Sequence, residues 1–175
     1  MNFHKDVLIH AAADAVFEAL TQPQQVAAWA EKVVRIELLD GAGTLRKGTR
    51  FHQVMRYGGT EVAFPGRVDV FARPRQLRVV ISPKNYQIET DYRLEPTEEG
   101  TLVAVTTRLI ESRWLTKWLV ILFVKSQRRQ FEKNMNRLQA HLEKAFGQIA
   151  PPARRAGAGP EFLPDEPHLD RVSEI

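Results

Sequence analysis

Between residues 33 and 111 the chain changes to a period of two and keeps it through six stretches: "VVRIELLDG", "GTRFHQVMRYGG", "TEVAFPGRVDVFARP", "QLRVVIS", "YQIETDYRLEP" and "TLVAVTTRLIE". Strict alternation of apolar and polar side chains is the mark of a half-buried strand. The links between consecutive stretches are short, and a parallel pair needs a long crossover, so the six read as an antiparallel meander. Gly58-Gly59 and "PTEEGT" are turn signals. Pro65-Gly66 falls inside the third stretch, where a proline cannot donate to a ladder, and predicts a bend or bulge there.

Helical periods flank this block. "VLIHA" reads as an opening strand, "ADAVFEALT" as a helix with Asp14 in its first turn, and Pro23 opens a second short helix, "PQQVAAWAE". At the other end, "RWLTKWLVILFVKSQRRQFEKNMNRL" over 113–138 starts the final long helix. From Gly147 onward five of the ten prolines occur with no amphipathic period. We therefore divide the chain into a domain over residues 1–146 and a Pro/Gly-rich, disordered tail over 147–175. The fold class is α+β: a curved antiparallel sheet, β-α-α-β6-α, wrapped around a long C-terminal helix.

Such a helix cannot pack flat along the whole of a curved sheet, so a cavity is expected where the two diverge. Its walls are the positions whose strand neighbours are charged. Glu89, Asp91 and Arg93 face one way, so Thr90 and Tyr92 face the other; Phe51, Gln53, Met55 and Tyr57 oppose Arg50, His52 and Arg56. Tyr86 and Thr107 join the inward set. On a helical wheel centred on Phe131, the residues Val120, Val124, Met135, Leu138 and Leu142 fall on the gripping face. Mainly apolar walls with a few polar groups are what a ligand pocket requires.

The order of elements, with "VLIHAAADAVFEALTQPQQVAAWA", "LRKGTRF", "GRVDVFARPRQLRV" and the last helix, resembles the START-like (SRPBCC) superfamily over about residues 5–146. Within it, the small bacterial polyketide cyclase/dehydrase-like and lipid-transport members, which share a helix-grip fold, are the most similar. Ala12-Ala13 stand where many members have a proline. The resemblance implies a deep apolar cavity under the last helix that takes lipids, quinones, sterol-like or polyketide molecules; it carries over no catalytic residue. The expected function is binding, and transport, of a hydrophobic small molecule without catalysis or cofactor. The alternative is a polyketide or aromatic-ring cyclase using the same cavity.

Motifs for other chemistry are missing. His4, His10, His52, His141 and His168 have no metal-ligand spacing, there is no cysteine, and no GxSxG, GxGxxG or Walker loop occurs. His52 shares a strand face with Arg50 and Arg56, and His10 stands at a strand end. Within the cavity only Tyr57, Tyr86 and Tyr92 could serve as acids or bases.

Charge is concentrated on the final helix. Residues 1–111 hold 14 basic and 14 acidic groups, whereas residues 112–146 hold eight basic and two acidic. No interleaved aromatics or helix-turn-helix signal accompany the basic groups, so no specific nucleic-acid partner is expected. The start of that helix is apolar on nearly every side, with Trp114, Leu115, Trp118, Leu119 and Leu122 next to Lys117, Lys125, Arg128 and Arg129. Three readings are open: a segment capping the cavity mouth, a homodimer contact, or a surface meeting anionic lipid. The run is about half the ~20 residues a bilayer-spanning helix needs. With no cysteine and no signal-peptide pattern, a cytoplasmic location is expected, peripheral to the inner face of the membrane.

Overall fold

A computed structural model describes residues 2–41, 43–84, 86–112 and 117–146, with only the main chain described at 2, 111, 112, 117–128 and 146. The element order is β1 (Asn2–Ile9), α1 (Ala13–Thr21), α2 (Pro23–Trp29), β2 (Val33–Leu38), β3 (Arg50–Tyr57), β4 (Thr60–Ala72), β5 (Gln76–Ile81), β6 (Tyr86–Thr97), β7 (Gly100–Ser112) and α3 (Lys117–Phe146). The seven strands form one antiparallel sheet in the order β1-β7-β6-β5-β4-β3-β2. The expected α+β helix-grip architecture is therefore the observed one. The opening strand is longer than the five residues that alternate visibly, because all of Asn2–Ile9 pairs with β7 from Arg108 to Thr101.

Turn chemistry sets the register. Gly58 and Gly59 both take positive φ, 54° and 89°, which lets a two-residue hairpin join β3 to β4 with Tyr57 opposite Thr60. The irregularity predicted at Pro65-Gly66 lies elsewhere. Pairing with β3 runs unbroken through His52↔Pro65 and Phe51↔Gly66, and the shift in β4 falls between Val68 and Val70, on the β5 side. Pro65 still contributes its carbonyl, which accepts from the Ser82 amide at 2.8 Å. Gly66 is needed for a different reason. A Cβ there would come within 2.6 Å of the Phe51 ring and 2.9 Å of Ile81 Cδ1, so the missing side chain is the space those two occupy.

The two faces of the sheet separate by polarity as the alternation requires. On the outer face Arg35 bridges Glu37 and Glu61, Arg67 pairs with Asp69, and Arg50 with Asp40. Asp91 is buried there, accepting from Gln76 at 2.8 Å and from Arg78 and Arg93 at 3.2 Å each. Burial alone would raise its pKa, but these donors more than offset that and hold it below 3.8. On the inner face the dry core lies where α1 and the C-terminal half of α3 meet the sheet. Val16, Phe17, Ile9, Leu77, Val103, Leu138 and Leu142 are fully buried, and Phe17 meets Phe71 edge-on at 5.1 Å. Such an aromatic pair contributes about 0.5–1.5 kcal/mol beyond its buried area. Trp29 ties α2 to α1 by donating its indole N–H to the Ala19 carbonyl at 2.9 Å.

Candidate functional site

Followed from its C-terminus toward its start, α3 leaves this core and becomes the wall of a cavity. Leu142, Leu138 and Met135 are buried; Met135, Asn134, Phe131 and Gln130 face a cavity of about 270 Å³. The opposite wall is the concave face of β3–β7, and α2 with the turn after it closes one side. The volume is near the lower end of the range for small-molecule pockets, about 300–1,000 Å³.

Each inward row of the sheet adds a band to this wall. Tyr92 lies deepest, between Leu77 and Val105 in the ladder. One row nearer the mouth come Val79, Thr90 and Thr107, and then Ile81, Ile88 and Leu109. Thr107 pairs with Phe3 on β1, whose ring meets Phe131 of α3 edge-on at 5.4 Å and closes that flank. On the other flank stand Phe51, Gln53 and Met55, with Tyr57, Phe64 and Tyr86 toward the surface. Tyr57 is 44% exposed and its ring lies 6.2 Å from that of Phe64.

Several polar groups on the sheet side of the cavity are held weakly by the described residues. Gln53 Nε2 donates to the Met55 thioether at 3.3 Å, and the Tyr57 hydroxyl reaches the same sulfur at 3.7 Å; a thioether is a poor acceptor. The Thr90 and Thr107 hydroxyls are 3.5 Å apart, at the long limit of a hydrogen bond. Tyr92 makes no hydrogen bond with the described residues, and burial pushes its phenol up to about 12. Its hydroxyl is thus a neutral donor at the cavity at every physiological pH, without a bond to the described residues. Tyr57 is also raised, by burial and then by the neighbouring Tyr86.

Of the described residues that line the cavity, Lys32 alone carries a charge. It sits in the turn between α2 and β2, where its carbonyl accepts from the Arg56 amide at 2.9 Å. Its Nζ lies 5.2 Å from the centre of the Tyr57 ring, within cation–π range. A small polar latch joins the same turn to α3. The Glu31 amide donates to Asn134 Oδ1 at 3.0 Å, Gln130 donates to Glu31 Oε2 at 2.9 Å, and Lys133 is 3.8 Å from Glu31. The Gln130 hydrogen bond, and then the charges of Lys133, Arg137 and Lys32, hold the Glu31 carboxyl below its ordinary value.

Ten of the twelve cavity positions expected from alternation and the wheel line this cavity, eight from the sheet and two from α3: Phe51, Gln53, Met55, Tyr57, Tyr86, Thr90, Tyr92, Thr107, Phe131 and Met135. Val120 and Val124 lie on α3, but their side chains are outside the described residues, as are those of Trp118, Leu119, Leu122, Lys125 and Arg128. Trp114 and Leu115 are outside altogether, and Arg129 is exposed on α3. Lys32, Gln130, Asn134 and Trp29 were not anticipated. A wheel read for polar as well as apolar positions would have found Gln130 and Asn134, four residues apart beside Phe131. Lys32 lies in a turn, where no periodicity reports it. Among the described residues no cluster of His, Asp and Glu could hold a metal ion, and no helix is long and apolar enough to cross a membrane. His10 instead sits 2.9 Å from the Glu99 carbonyl in the β6–β7 turn.

Residues 1–143 match the sequence profile of the family described as polyketide cyclase / dehydrase and lipid transport. The chain belongs to this family. Its fold is shared with a protein of unknown function from Staphylococcus aureus (TM-score 0.67, 16% identity, covering 83% of this chain and 94% of that one). The protein Ara h 8.0201 is similar to it at TM-score 0.66 and 13% identity, over 82% and 98% of the two chains. An AHSA1-like protein from Aeromonas hydrophila matches at TM-score 0.61 and 20% identity, over 83% and 94%. No curated protein matches the sequence. At these identities the likeness is one of fold. This member of the cyclase/dehydrase and lipid-transport family thus combines a helix-grip fold with an apolar cavity, consistent with binding a hydrophobic ligand.

Proposed function

We propose that this domain binds and carries a hydrophobic small molecule, of lipid or quinone type, in the cavity beneath α3 and performs no chemistry on it. The observation that carries this reading is the lining itself. The wall is apolar except for neutral polar groups and Lys32 at the mouth, and its deepest polar group, Tyr92, has a phenol raised to about 12. A hydroxyl held neutral in this way can orient a ligand by donating a hydrogen bond, but it supplies no base near neutral pH. A cyclase would need proton transfer from this same set of residues.

Cargo would enter at the end where α3 begins. Ser112, the last residue of β7, pairs with Tyr86 at the cavity rim, and α3 starts five residues later at Lys117. The apolar and basic start of α3 would meet an anionic membrane surface there, in keeping with a cytoplasmic protein working at the inner face of the membrane. The test is titration with an uncharged, environment-sensitive aromatic probe such as 1-aminoanthracene. One saturable site per chain is expected, lost in Thr90→Trp, which fills the cavity from the middle of β6, with circular dichroism as the fold control. Binding that does not saturate, or that Thr90→Trp leaves unchanged, would remove the cavity as the site.

A further inference from the structure

Resting on that reading, we infer that the ligand is a small amphiphile with a single chain or fused rings and one acidic headgroup, which Lys32 holds at the cavity mouth. Two independent features set this class. The first is size. A cavity of about 270 Å³ lies just below the range of small-molecule pockets, about 300–1,000 Å³. That is room for one short chain or a pair of rings, and too little for the two acyl chains of a membrane lipid.

The second is charge. Lys32 is the charged residue on an otherwise uncharged wall; among the described residues its ammonium forms no salt bridge, and Glu31 acts on it only as a nearby charge. The nearby carboxylates are shared with other donors. Glu31, its neighbour in the chain, accepts from Gln130 and faces Lys133, and Glu61 is taken by Arg35 and Arg56. The position of Lys32 is fixed from both ends, by the Arg56 amide on its carbonyl and by the face of Tyr57 under its ammonium. Tyr57 itself, whose phenol is raised, adds no opposing charge. A ligand whose tail enters between Phe131 and the sheet therefore brings its head past Lys32, while a tail bearing an oxygen finds Tyr92 at the far end. A bound acid also replaces bulk water around the ammonium with a compact counter-charge, which a fixed lysine favours over a neutral head.

The test uses the full chain and three ligands of one chain length, decanoate, decyl phosphate and decanol, measured by isothermal titration calorimetry at low salt. At least one acid is expected to bind ten times more tightly than decanol or better, and the tighter of the two names the headgroup. Lys32→Met keeps the stem and should weaken that acid at least tenfold while leaving decanol within twofold, which also shows that the variant is folded. Lys32→Arg should keep the preference. Equal binding of acid and alcohol by the wild type, or an acid preference that survives Lys32→Met, would overturn the inference and leave the cavity reading standing. Failure of all three ligands to bind would overturn both.

Discussion

Tyr92 has Leu77 and Val105 as its ladder neighbours, and among the described residues no polar group bonds its hydroxyl. Removing that oxygen in Tyr92→Phe should cost a bound oxygen-bearing ligand one neutral hydrogen bond, about 1 kcal/mol or roughly fivefold in Kd. The fold should be indifferent, since the group makes no bond to the described residues; equilibrium titration beside a urea melt separates the two effects. A loss of several orders of magnitude in turnover of a polyketide substrate would instead assign Tyr92 a chemical role. Gly66 makes the converse case, a residue whose value is in what it lacks. Gly66→Ala drives a methyl into the Phe51 ring from 2.6 Å, and overpacking of this kind costs typically 1–3 kcal/mol. A urea midpoint unchanged from wild type would show that Phe51 yields freely. On the outer face, Asp91 gathers Gln76, Arg78 and Arg93. Its folded pKa is depressed, so its contribution is present above the ordinary carboxylate value of 3.8 and is lost as pH falls below it. Asp91→Asn should therefore destabilise the protein at pH 7 by about 1–3 kcal/mol and by less at pH 3, as denaturant melts at both pH values would register.

At the scale of elements, α3 does two jobs with one apolar stripe. Its second half seals the core through Leu138 and Leu142, and its middle, through Gln130, Phe131 and Asn134, makes the cavity wall and the latch to Glu31. Leu138→Ala should thus cost about 2–5 kcal/mol of stability, measured in urea. Along the start of α3 the sequence places Trp118 and Leu122 on the opposite side of the wheel from Phe131. If that side meets membrane, Trp118→Asp combined with Leu122→Asp abolishes sedimentation with anionic liposomes and leaves the urea midpoint near wild type; unchanged sedimentation would exclude it. The strands and helices were readable because a sheet with one solvated face must alternate, and Glu89, Asp91 and Arg93 mark the outside of β6 as plainly as any buried residue marks the inside. The bulge was misplaced because proline shows only that an amide is missing, and Pro65 still pairs with His52 in β3. The length of β1 escaped because "NFHKDVLI" puts Lys5 on an inward position, where its ammonium reaches Glu132 of α3 at 3.4 Å.

The whole molecule is a sheet and a helix that pack together through Leu138 and Leu142 and leave a cavity between them beside Phe131. Alternation could name most of the wall, since inward positions follow from parity. It could not give the volume, the lack of a bond from Tyr92 to the described residues or the place of Lys32, because these depend on sheet curvature and on a turn between two elements. Family membership over residues 1–143 supplies the class of architecture; the cavity of about 270 Å³ and its near-neutral lining supply the case for cargo over catalysis. The measurement that tests this most directly is mass spectrometry of the organic extract from denatured, purified protein, run beside the cavity-filled Thr90→Trp variant prepared identically. The account predicts a small apolar compound, near one equivalent per chain, in the wild-type extract and not in the variant's. Extracts that match in composition and amount would contradict it.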